Sequence, residues 1–475
     1  MNVLLDVQLL GRLLIALGVA QLVPALAAAL FGEPVLPYAA SAIAAAVFGA
    51  SFSYGSRPGD RRLRERDGFV LVVGAWLLAS AFGALPYLTT GFLSPSNALF
   101  EAVAGFTTTA SSAMRSLEDA PRALLLWRAM TQWIGGLGIV LVAVFLFPLF
   151  GIGGMQIFTS ELGGTAAEAG GLRFTGSARR LAALYAGLSA AAFAALLAAG
   201  MGAFDALCHA FTGVATGGFS TRQDSVGAFG SAAVEWVVIV IMLLGATSFV
   251  VYYRLLARDG RDVMRDPELR CFVGIALSAS VAMVWLLGLE EPGRGRSAVF
   301  QTVSLLTGTG YRTADFSTWG TLPQLLLLLL VIFGGMTRST SGGIKSLRLV
   351  LGFRALATAL TRLLHPHAIR RVKYAGRPVA DEVLAGVWTF LTAYFLVVAA
   401  GAALVAAAGY DLMTAISAAF SAASNAGPTL GELGPGADFA DFPGTVKLGL
   451  CVCMLAGRLE VFALFALVHP RFWQR

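Results

Sequence analysis

Long apolar stretches separated by polar loops divide the chain into ten runs. About twenty consecutive apolar residues are enough for a helix to cross the hydrocarbon core of a bilayer, so each run predicts a membrane-spanning helix. A transmembrane barrel would instead show alternating strands of roughly ten residues. The pattern therefore predicts an all-α polytopic membrane protein. The runs lie near 8–31, 36–53, 68–91, 127–150, 180–201, 232–256, 271–289, 321–353, 383–409 and 444–468.

Four shorter apolar segments follow the third, fifth, seventh and ninth long runs, and each ends in residues rich in Thr, Ser and Gly. Roughly ten to fourteen apolar residues are too few to cross a bilayer, so each segment predicts a re-entrant helix. Irregular backbone at membrane depth is tolerated only where it is buried or lines a watery path. The segments are Phe100–Met114, Cys208–Arg222, Phe300–Ala314 and Phe420–Glu432.

One unit therefore occurs four times: a span, a short pore helix, a loop and a second span. Four such units around one axis would offer rings of backbone carbonyls, which can hold a dehydrated cation. The sequence thus predicts a cation pore made from a single chain, and surface helices of a transporter are the alternative interpretation of the short segments. The predicted boundaries are 1–55 for an N-terminal two-helix hairpin and 68–150, 177–256, 269–360 and 382–468 for the four pore repeats.

The composition agrees with a membrane protein. Of the 475 residues, 57% are hydrophobic and 13% are charged, whereas a soluble domain carries roughly a quarter charged residues. The net charge of +7 does not indicate nucleic-acid binding, because Lys and Arg are concentrated in loops between the predicted spans. Basic loops mark the cytoplasmic face, so the short segments enter the membrane from the outside. The basic stretches are 56–67, 254–270, 345–377 and 469–475.

Other chemistry has little support in the sequence. The four cysteines are scattered, and Cys451 and Cys453 face different sides of a predicted helix, so neither a disulfide nor a metal site is expected. We find no phosphate-binding glycine motif, no Ser/His/Asp set and no clustered carboxylates. We therefore expect no organic cofactor in this chain and no enzymatic activity. The first residues lack a basic segment, so a cleaved signal peptide is not expected.

Several motifs occur in a fixed order over nearly the whole chain. They are Trp127–Val140, Gly151–Glu161, Val214–Thr221, Gly334-Gly335 with Gly342–Lys345, Asn425–Pro428 and Met454–Glu460. On these motifs the chain resembles the TrkH/KtrB superfamily of bacterial potassium transporters, and within it the TrkH branch. The predicted N-terminal hairpin also fits that branch.

The resemblance implies a potassium uptake pore subunit that crosses the bacterial inner membrane many times. It further implies a homodimer with one pore in each protomer, embedded in lipid, and a cytosolic nucleotide-binding regulatory subunit similar to TrkA. K+ is the implied transported ion. Two other functions remain open: a K+/Na+ pore of low selectivity, and a potassium carrier coupled to protons or sodium. A carrier should place ionisable groups near the membrane midplane, where the sequence clearly shows only Arg458.

The resemblance also implies which residues form the selectivity filter. One residue in each repeat forms the narrowest ring, and glycine suits this position because its backbone reaches positive φ and turns successive carbonyls inward. The ring positions are Ala110, Gly217, Gly310 and Gly427. The carbonyls before them complete a cage at the C-terminal ends of the short helices, where partial negative charge favours a cation. These carbonyls belong to Thr108, Thr109, Ala215, Thr216, Gly308, Thr309, Asn425 and Ala426.

Ala110 departs from the family pattern. Alanine in a left-handed backbone costs roughly 1–2 kcal/mol, so the first repeat would aim its carbonyl less well. The resemblance links a serine at this place in plant relatives with sodium permeation, which bears on the selectivity of this chain. Alternatively, the ring closes normally around a small methyl group.

The run 321–353 is interrupted at 334–343, where Gly, Ser and Thr are dense enough to break a helix. The resemblance implies an intramembrane loop that lies under the filter as a gate, and a simple kink is the alternative. At Thr337 and Arg338 the sequence departs from relatives, which usually carry small residues there. The implied gate residues are Gly334, Gly335, Ser339, Thr340, Gly342 and Gly343.

Arg458 lies in the middle of the last predicted span. A charged residue at the bilayer centre costs roughly 3 kcal/mol on insertion scales, so this arginine should face the pore or bond to backbone carbonyls. The resemblance implies an electrostatic barrier below the filter, and a structural ion pair is the alternative. Glu460 is two positions away and is not expected on the same helical face as Arg458.

Overall fold

The computed structural model describes residues 2–56, 65–145, 171–256, 263–288, 293–367, 370–434, 436 and 438–474. Within these ranges almost all regular structure is helical, and the exception is an antiparallel hairpin of β1 (Lys373–Tyr374) and β2 (Arg377–Pro378). The motif Gly151–Glu161 and parts of all four basic stretches lie outside the described residues.

The predicted N-terminal hairpin is confirmed as α1 (Val3–Phe31) and α2 (Leu36–Gly55). Gly32 ends α1 in a left-handed conformation with φ of 71°. Small residues let the two helix backbones approach each other closely. A Cβ atom built on Gly11 would lie only 2.6 Å from the carbonyl oxygen of Gly49.

The rest of the chain repeats one order of elements four times: a first span, a short helix and a second span. The first repeat contains α3 (Glu65–Gly83), α4 (Leu85–Thr89), α5 (Pro95–Phe106) and α6 (Arg122–Phe145). The second contains α7 (Gly171–Ala198), α8 (Ala203–Val214), α9 (Ala232–Gly245) and α10 (Phe249–Leu256). The third contains α11 (Pro267–Leu287), α12 (Arg294–Leu306), α13 (Thr321–Phe333) and α14 (Ser346–Leu364). The fourth contains α15 (Asp381–Ala407), α16 (Leu412–Ala423), α17 (Gly444–Arg458) and α18 (Phe462–Val468), and α19 (Pro470–Trp473) follows it.

The four short helices α5, α8, α12 and α16 contain 12, 12, 13 and 12 residues. At about 1.5 Å per residue each is roughly 18 Å long, which is too short to cross a bilayer. The start of α16 is stabilised by the carboxylate of Asp411, which accepts hydrogen bonds from the backbone N–H groups of Met413 and Thr414. The C-terminal halves of all four helices are buried, apart from the partly buried side chains of Phe211 and Phe420. This burial excludes their interpretation as surface helices.

Three of the predicted spans are broken in the structure. Among the described residues, seven helices are long and apolar enough to cross a membrane, and two further spans are bent pairs. The bend is 90° between α9 and α10 and 115° between α17 and α18. The bends within the runs 232–256 and 444–468 were not predicted, because an apolar run looks the same whether or not it bends. The run 321–353 is divided between α13 and α14.

Large apolar side chains project outward from the peripheral helices. Leu30 is 85% exposed, Trp285 is 80% exposed, and Leu26 and Val281 are also exposed. Extended apolar surfaces of this kind are costly in water and stable against lipid. The chain is therefore a multi-pass membrane protein.

Helix α6 packs directly against the ends of two short helices. A Cβ atom built on Gly135 would lie 2.2 Å from the carbonyl oxygen of Phe106, at the end of α5. One built on Gly136 would lie 2.9 Å from the Cβ of Ala215, just after α8. The glycines therefore allow close packing, which brings the side chains of α6 behind the segments that follow α5 and α8.

Candidate ion filter and gate

The same backbone turn follows each of the four short helices. The second residue after each helix is left-handed, with φ of 53° at Thr108, 48° at Thr216, 66° at Gly308 and 55° at Asn425. The backbone N–H of the next residue donates back into the helix, over 2.8 Å from Thr109 to Ala104 and 2.9 Å from Thr309 to Ser304. Such turns satisfy the last carbonyls of a helix and redirect the chain. All four repeats therefore leave their short helices in one register.

Two residues after each left-handed turn, the repeats meet one another at Ala110, Gly218, Gly310 and Gly427. The three glycines are again left-handed, with φ of 76°, 80° and 105°. A Cβ atom built on Gly218 would lie 1.8 Å from the carbonyl oxygen of Thr309. One built on Gly310 would lie 2.1 Å from the carbonyl oxygen of Ala426. Three of the four positions therefore require glycine for its φ and for its lack of a side chain.

This register corrects the sequence prediction in the second repeat. Gly217 follows the left-handed Thr216 directly, so its structural counterparts are Thr109, Thr309 and Ala426. The counterpart of Gly310 is Gly218, and the predicted ring position Gly217 is one residue early. By the same register Ala215 is the residue that caps α8 and lies before the turn. Gly217 is small for another reason, since a Cβ there would lie 2.3 Å from Oε1 of Gln132.

Ala110 occupies the fourth ring position without a left-handed backbone, since it is absent from the residues with positive φ. The expected strain at this residue is therefore wrong. Its methyl group lies among the other three repeats, because Cβ atoms built on the three ring glycines would come within 2.9, 2.7 and 2.3 Å of it. The first repeat thus differs from the others both in backbone direction and in bulk.

Buried polar contacts support the segments that follow the short helices. The carboxylate of Glu101 forms a 2.5 Å ion pair with Arg128 and accepts a hydrogen bond from the backbone N–H of Ala113. The guanidinium of Arg128 also donates to the carbonyl of Ser220 over 2.7 Å. Both charged side chains are buried. The ion pair joins α5 to α6 within the first repeat. The bond from Arg128 to Ser220 links this pair to the segment that follows α8 in the second repeat.

Residues 334–345, hereafter the 334–345 loop, separate α13 from α14 and cross under the short helices. The hydroxyl of Thr340 lies 3.0 Å from the carbonyl oxygen of Val214 at the end of α8. The hydroxyl of Ser341 donates to the carbonyl of Thr307 after α12 over 2.7 Å. A Cβ atom on Gly342 would lie 2.0 Å from the carbonyl oxygen of Ser424 after α16. The loop is a folded segment rather than a simple kink.

The remaining residues that the sequence predicts for a gate shape the loop itself. Gly334 and Gly343 are left-handed, with φ of 71° and 77°. The hydroxyl of Ser339 donates to the carbonyl of Met336, and the backbone N–H of Gly335 donates to the hydroxyl of Ser341. These local bonds satisfy backbone and hydroxyl groups that would otherwise be stranded at membrane depth.

The loop also explains the bend in the second repeat. The carbonyl oxygens at the end of α9 are bonded to the loop, since the backbone N–H of Thr340 donates to Gly245 and that of Met336 donates to Ala246. The carbonyl of Arg338 accepts from the backbone N–H of Phe249 at the start of α10. The loop thus takes the place of a continuous helix between α9 and α10, and Arg338 lies at this junction.

Arg458 contacts the loop directly. It is the last residue of α17 and lies at the bend in the last predicted span. Its Nη1 donates to the carbonyl of Thr340 over 2.7 Å, while Nε and Nη2 are buried and have no hydrogen-bond partner among the described residues. No described acidic side chain forms an ion pair with it, because Glu460 is engaged elsewhere. The structure therefore favours bonding to backbone over a structural ion pair.

Sequence reasoning missed a buried cluster of charges beside the loop. The carboxylate of Glu460 forms ion pairs with Lys345, at 3.3 Å, and with Arg348. The guanidinium of Arg348 also lies 3.8 Å from the ring centroid of Phe390. Lys345 and Arg348 were expected among the basic residues of a cytoplasmic loop, and both are buried instead. Their position directly after the glycine-rich loop was the available signal.

Glu460 and Val461 are both left-handed, with φ of 60° and 54°, in the bend between α17 and α18. Such conformations cost of order 1–3 kcal/mol each and persist where surrounding contacts determine them. The ion pairs of Glu460 are such contacts. They join the end of the 334–345 loop to the bend that follows Arg458.

This combination defines a class of membrane transport protein, in which four re-entrant repeats surround one axis above a loop within the membrane. The chain belongs to the TrkH family, described as cation transport proteins, whose family model matches residues 38–474. It is 37% identical over 487 residues to the Trk system potassium uptake protein TrkH of Halomonas elongata, with 100% of both chains covered. It is 32% identical over 477 residues to the TrkH protein of Escherichia coli K12, with 98% of both covered.

The fold agrees with a solved relative over its whole length. The crystal structure of the potassium transporter TrkH from Vibrio parahaemolyticus matches with a TM-score of 0.92 and 34% identity, covering 100% of both chains. The family resemblance and the predicted fold class are thereby confirmed. Membership of a cation transport family also agrees with the expectation that the chain is not an enzyme.

Proposed function

We propose that this protein is a potassium uptake pore subunit that conducts K+ through a filter built from its four repeats. The observation that carries this proposal is the shared turn after each short helix, which brings four equivalent backbone segments to one point. Relatives described as potassium uptake proteins cover the whole chain. Backbone carbonyls can replace the hydration shell of K+, and the C-terminal ends of four helices favour a cation at that point.

The proposed filter follows the structural register of the repeats. Its ring residues are Ala110, Gly218, Gly310 and Gly427, and the carbonyls before them supply the cage. K+ is the transported ion, and no organic cofactor is proposed for this chain. The cage residues are Thr108, Thr109, Thr216, Gly217, Gly308, Thr309, Asn425 and Ala426.

The 334–345 loop is the proposed gate, and Arg458 is the proposed charge barrier. The loop is bonded to the ends of α8 and α12 and packs against that of α16, so it must move aside before an ion leaves the filter. The guanidinium of Arg458 is bonded to the same loop. A fixed positive charge there opposes a cation more strongly than it would in water.

The proposed setting is the bacterial inner membrane. Relatives are named as components of a Trk system, which agrees with partner subunits. We propose a homodimer with one pore in each protomer and a cytosolic nucleotide-binding regulator similar to TrkA. The proposed domains remain the N-terminal hairpin 1–55 and the pore repeats 68–150, 177–256, 269–360 and 382–468.

Particular observations bear on two alternative functions. The bulk of Ala110 in the first repeat favours a K+/Na+ pore of low selectivity as the second candidate. The buried carboxylates of Glu101 and Glu460 bear on a carrier coupled to protons or sodium, for which Arg458 alone was expected. Both carboxylates are ion-paired with basic side chains, and such pairing disfavours proton exchange at these two residues. The buried carboxylate of Glu268 accepts a hydrogen bond from the backbone N–H of Thr337 in the loop.

Flux in proteoliposomes tests the proposal. Purified protein should carry Rb+ or K+ in either direction according to the imposed gradient, with no proton or sodium movement in a fixed ratio to it. Fluorescent reporters of internal pH and internal Na+ would follow the other ions. Uphill K+ movement driven by a proton or sodium gradient would show that the protein is a coupled carrier and that the pore proposal is wrong.

Replacing Ala110 with glycine should sharpen selection of K+ over Na+. Glycine removes the methyl group that lies among the other repeats and lets the first repeat adopt the backbone of its counterparts. We expect the K+/Na+ ratio to rise about two- to tenfold, a change of at most about 1.4 kcal/mol. Paired Rb+ and Na+ fluxes measure the ratio. A lower K+/Na+ ratio in the glycine variant would show that the alanine at position 110 does not reduce the selectivity of the ring.

A further inference from the structure

A glutamine side chain on α6 bonds to the backbone of two repeats at the filter. Nε2 of Gln132 donates to the carbonyl of Gly217 over 2.7 Å and to the carbonyl of Thr109 over 3.3 Å. Its Oε1 accepts from the backbone N–H of Phe219 over 3.0 Å. The side chain is fully buried. One amide group thus holds the first repeat and both sides of the ring residue Gly218 in the second.

The two carbonyls bonded to Gln132 occupy equivalent positions. Thr109 and Gly217 each directly follow a left-handed residue, and each lies directly before a ring residue. A hydrogen bond from an amide fixes the direction of a carbonyl and draws electron density from its oxygen. One side chain therefore sets the direction of two of the four carbonyls at this level, and the electron density on their oxygens.

We propose that Gln132 is a positioning residue that sets ion selectivity by holding the carbonyls of Thr109 and Gly217. The inference rests on the proposed filter and adds a determinant outside the re-entrant segments. Both donor hydrogens lie on one nitrogen, so the amide can serve two carbonyls while its oxygen serves an N–H. An apolar side chain of the same length would fill the space and serve none of them.

The contact with Gly217 supports this role over simple packing. A Cβ atom on Gly217 would lie 2.3 Å from Oε1 and 2.4 Å from Cδ of Gln132. The backbone of the second repeat is therefore pressed against the amide plane, and a side chain at residue 217 would displace it. The two adjacent glycines are therefore required for different reasons. Gly217 makes room for Gln132, and Gly218 adopts the left-handed conformation at the ring.

The main test is Gln132→Met, which keeps the length of the side chain and removes its hydrogen bonds. Paired Rb+ and Na+ fluxes in proteoliposomes should show a K+/Na+ ratio reduced roughly three- to tenfold, which corresponds to the loss of about one net hydrogen bond. Total cation flux should persist. The matched control is Gln21→Met, because Gln21 of α1 is also fully buried and donates to one backbone carbonyl, that of Phe82 on α3, over 2.9 Å. This control should keep the parental ratio.

A second variant guards against misfolding of the first. Gly217→Ala should displace the amide without deleting it and should lower the ratio in the same direction. If Gln132→Met or Gly217→Ala reduces Rb+ and Na+ fluxes equally and leaves their ratio unchanged, Gln132 only packs and the inference is wrong. If neither variant yields folded protein while Gln21→Met does, the role is structural and the inference is also wrong. Absence of selective flux in the parent would instead overturn the proposed function itself.

Discussion

Replacing Gly310 with serine should remove selective potassium uptake. Gly310 is left-handed with φ of 80°, and a Cβ atom there would lie 2.1 Å from the carbonyl oxygen of Ala426 and 2.7 Å from the Cβ of Ala110. The obstacle is the backbone of the adjacent repeat, which cannot rotate away as a side chain could. Left-handed strain alone costs roughly 1–2 kcal/mol for a residue other than glycine. The fourth repeat must therefore shift, and the proposed carbonyl cage would shift with it.

Uptake by a host that lacks its own potassium transport measures this effect. We expect K+ uptake to fall at least roughly tenfold, since a displacement costing about 1.4 kcal/mol already has that effect. Gly320→Ser is the matched control, because Gly320 has φ of 83° and no other atom within 4 Å of a built Cβ. It carries the same backbone strain away from the filter and should leave uptake near the parental level. Parental uptake and an unchanged sodium ratio in Gly310→Ser would remove Gly310 from the filter.

The repeats and the short helices were predictable because their signal is local. Apolar length separates a span from a re-entrant helix, and Thr, Ser and Gly mark where each short helix ends. The left-handed turns at Thr108, Thr216 and Asn425 carried no such signal. Their conformation is set by the hydrogen bond that closes each helix end, and a side chain other than glycine is tolerated there.

The position of the ring in the second repeat shows where local reasoning fails. Gly217 and Gly218 are adjacent, and both suit a tight backbone. The register of the turn separates their roles, and it depends on the residue at which α8 ends. The sequence does not place helix ends to within one residue. A contact with α6, distant in the chain, explains why Gly217 is small.

The buried charges were unpredictable for a related reason. Lys345 and Arg348 precede a stretch rich in basic residues, and a basic stretch near a membrane normally indicates a cytoplasmic loop. Their burial depends on pairing with Glu460, which lies 112 residues after Arg348 in the chain. Pairing over such a distance is a property of the fold and leaves no local pattern.

Replacing Arg458 with alanine should raise cation flux in the absence of any cytosolic partner. The guanidinium lies against the 334–345 loop, through a 2.7 Å hydrogen bond to the carbonyl of Thr340. Two unit charges at 4 Å interact by about 4 kcal/mol at an effective dielectric constant of 20, so a cation passing near Arg458 meets a substantial barrier. Removing the charge should raise basal Rb+ flux at least roughly tenfold, because 1.4 kcal/mol of that barrier is enough for this change.

Two further variants separate the charge from the hydrogen bond. Arg458→Lys keeps the positive charge, and Arg458→Gln keeps a hydrogen-bond donor without the charge. If charge forms the barrier, the lysine variant should stay near the parental flux while the glutamine and alanine variants conduct faster. If the hydrogen bond holds the loop closed, the glutamine variant should keep the low parental flux.

Each variant must first elute as folded protein of the parental size, since loss of a buried arginine also changes packing. Folded Arg458→Ala protein that conducts no faster than the parent would make Arg458 structural. The barrier would then have to lie in the proposed gate, the 334–345 loop, which contacts the ends of α8, α12 and α16.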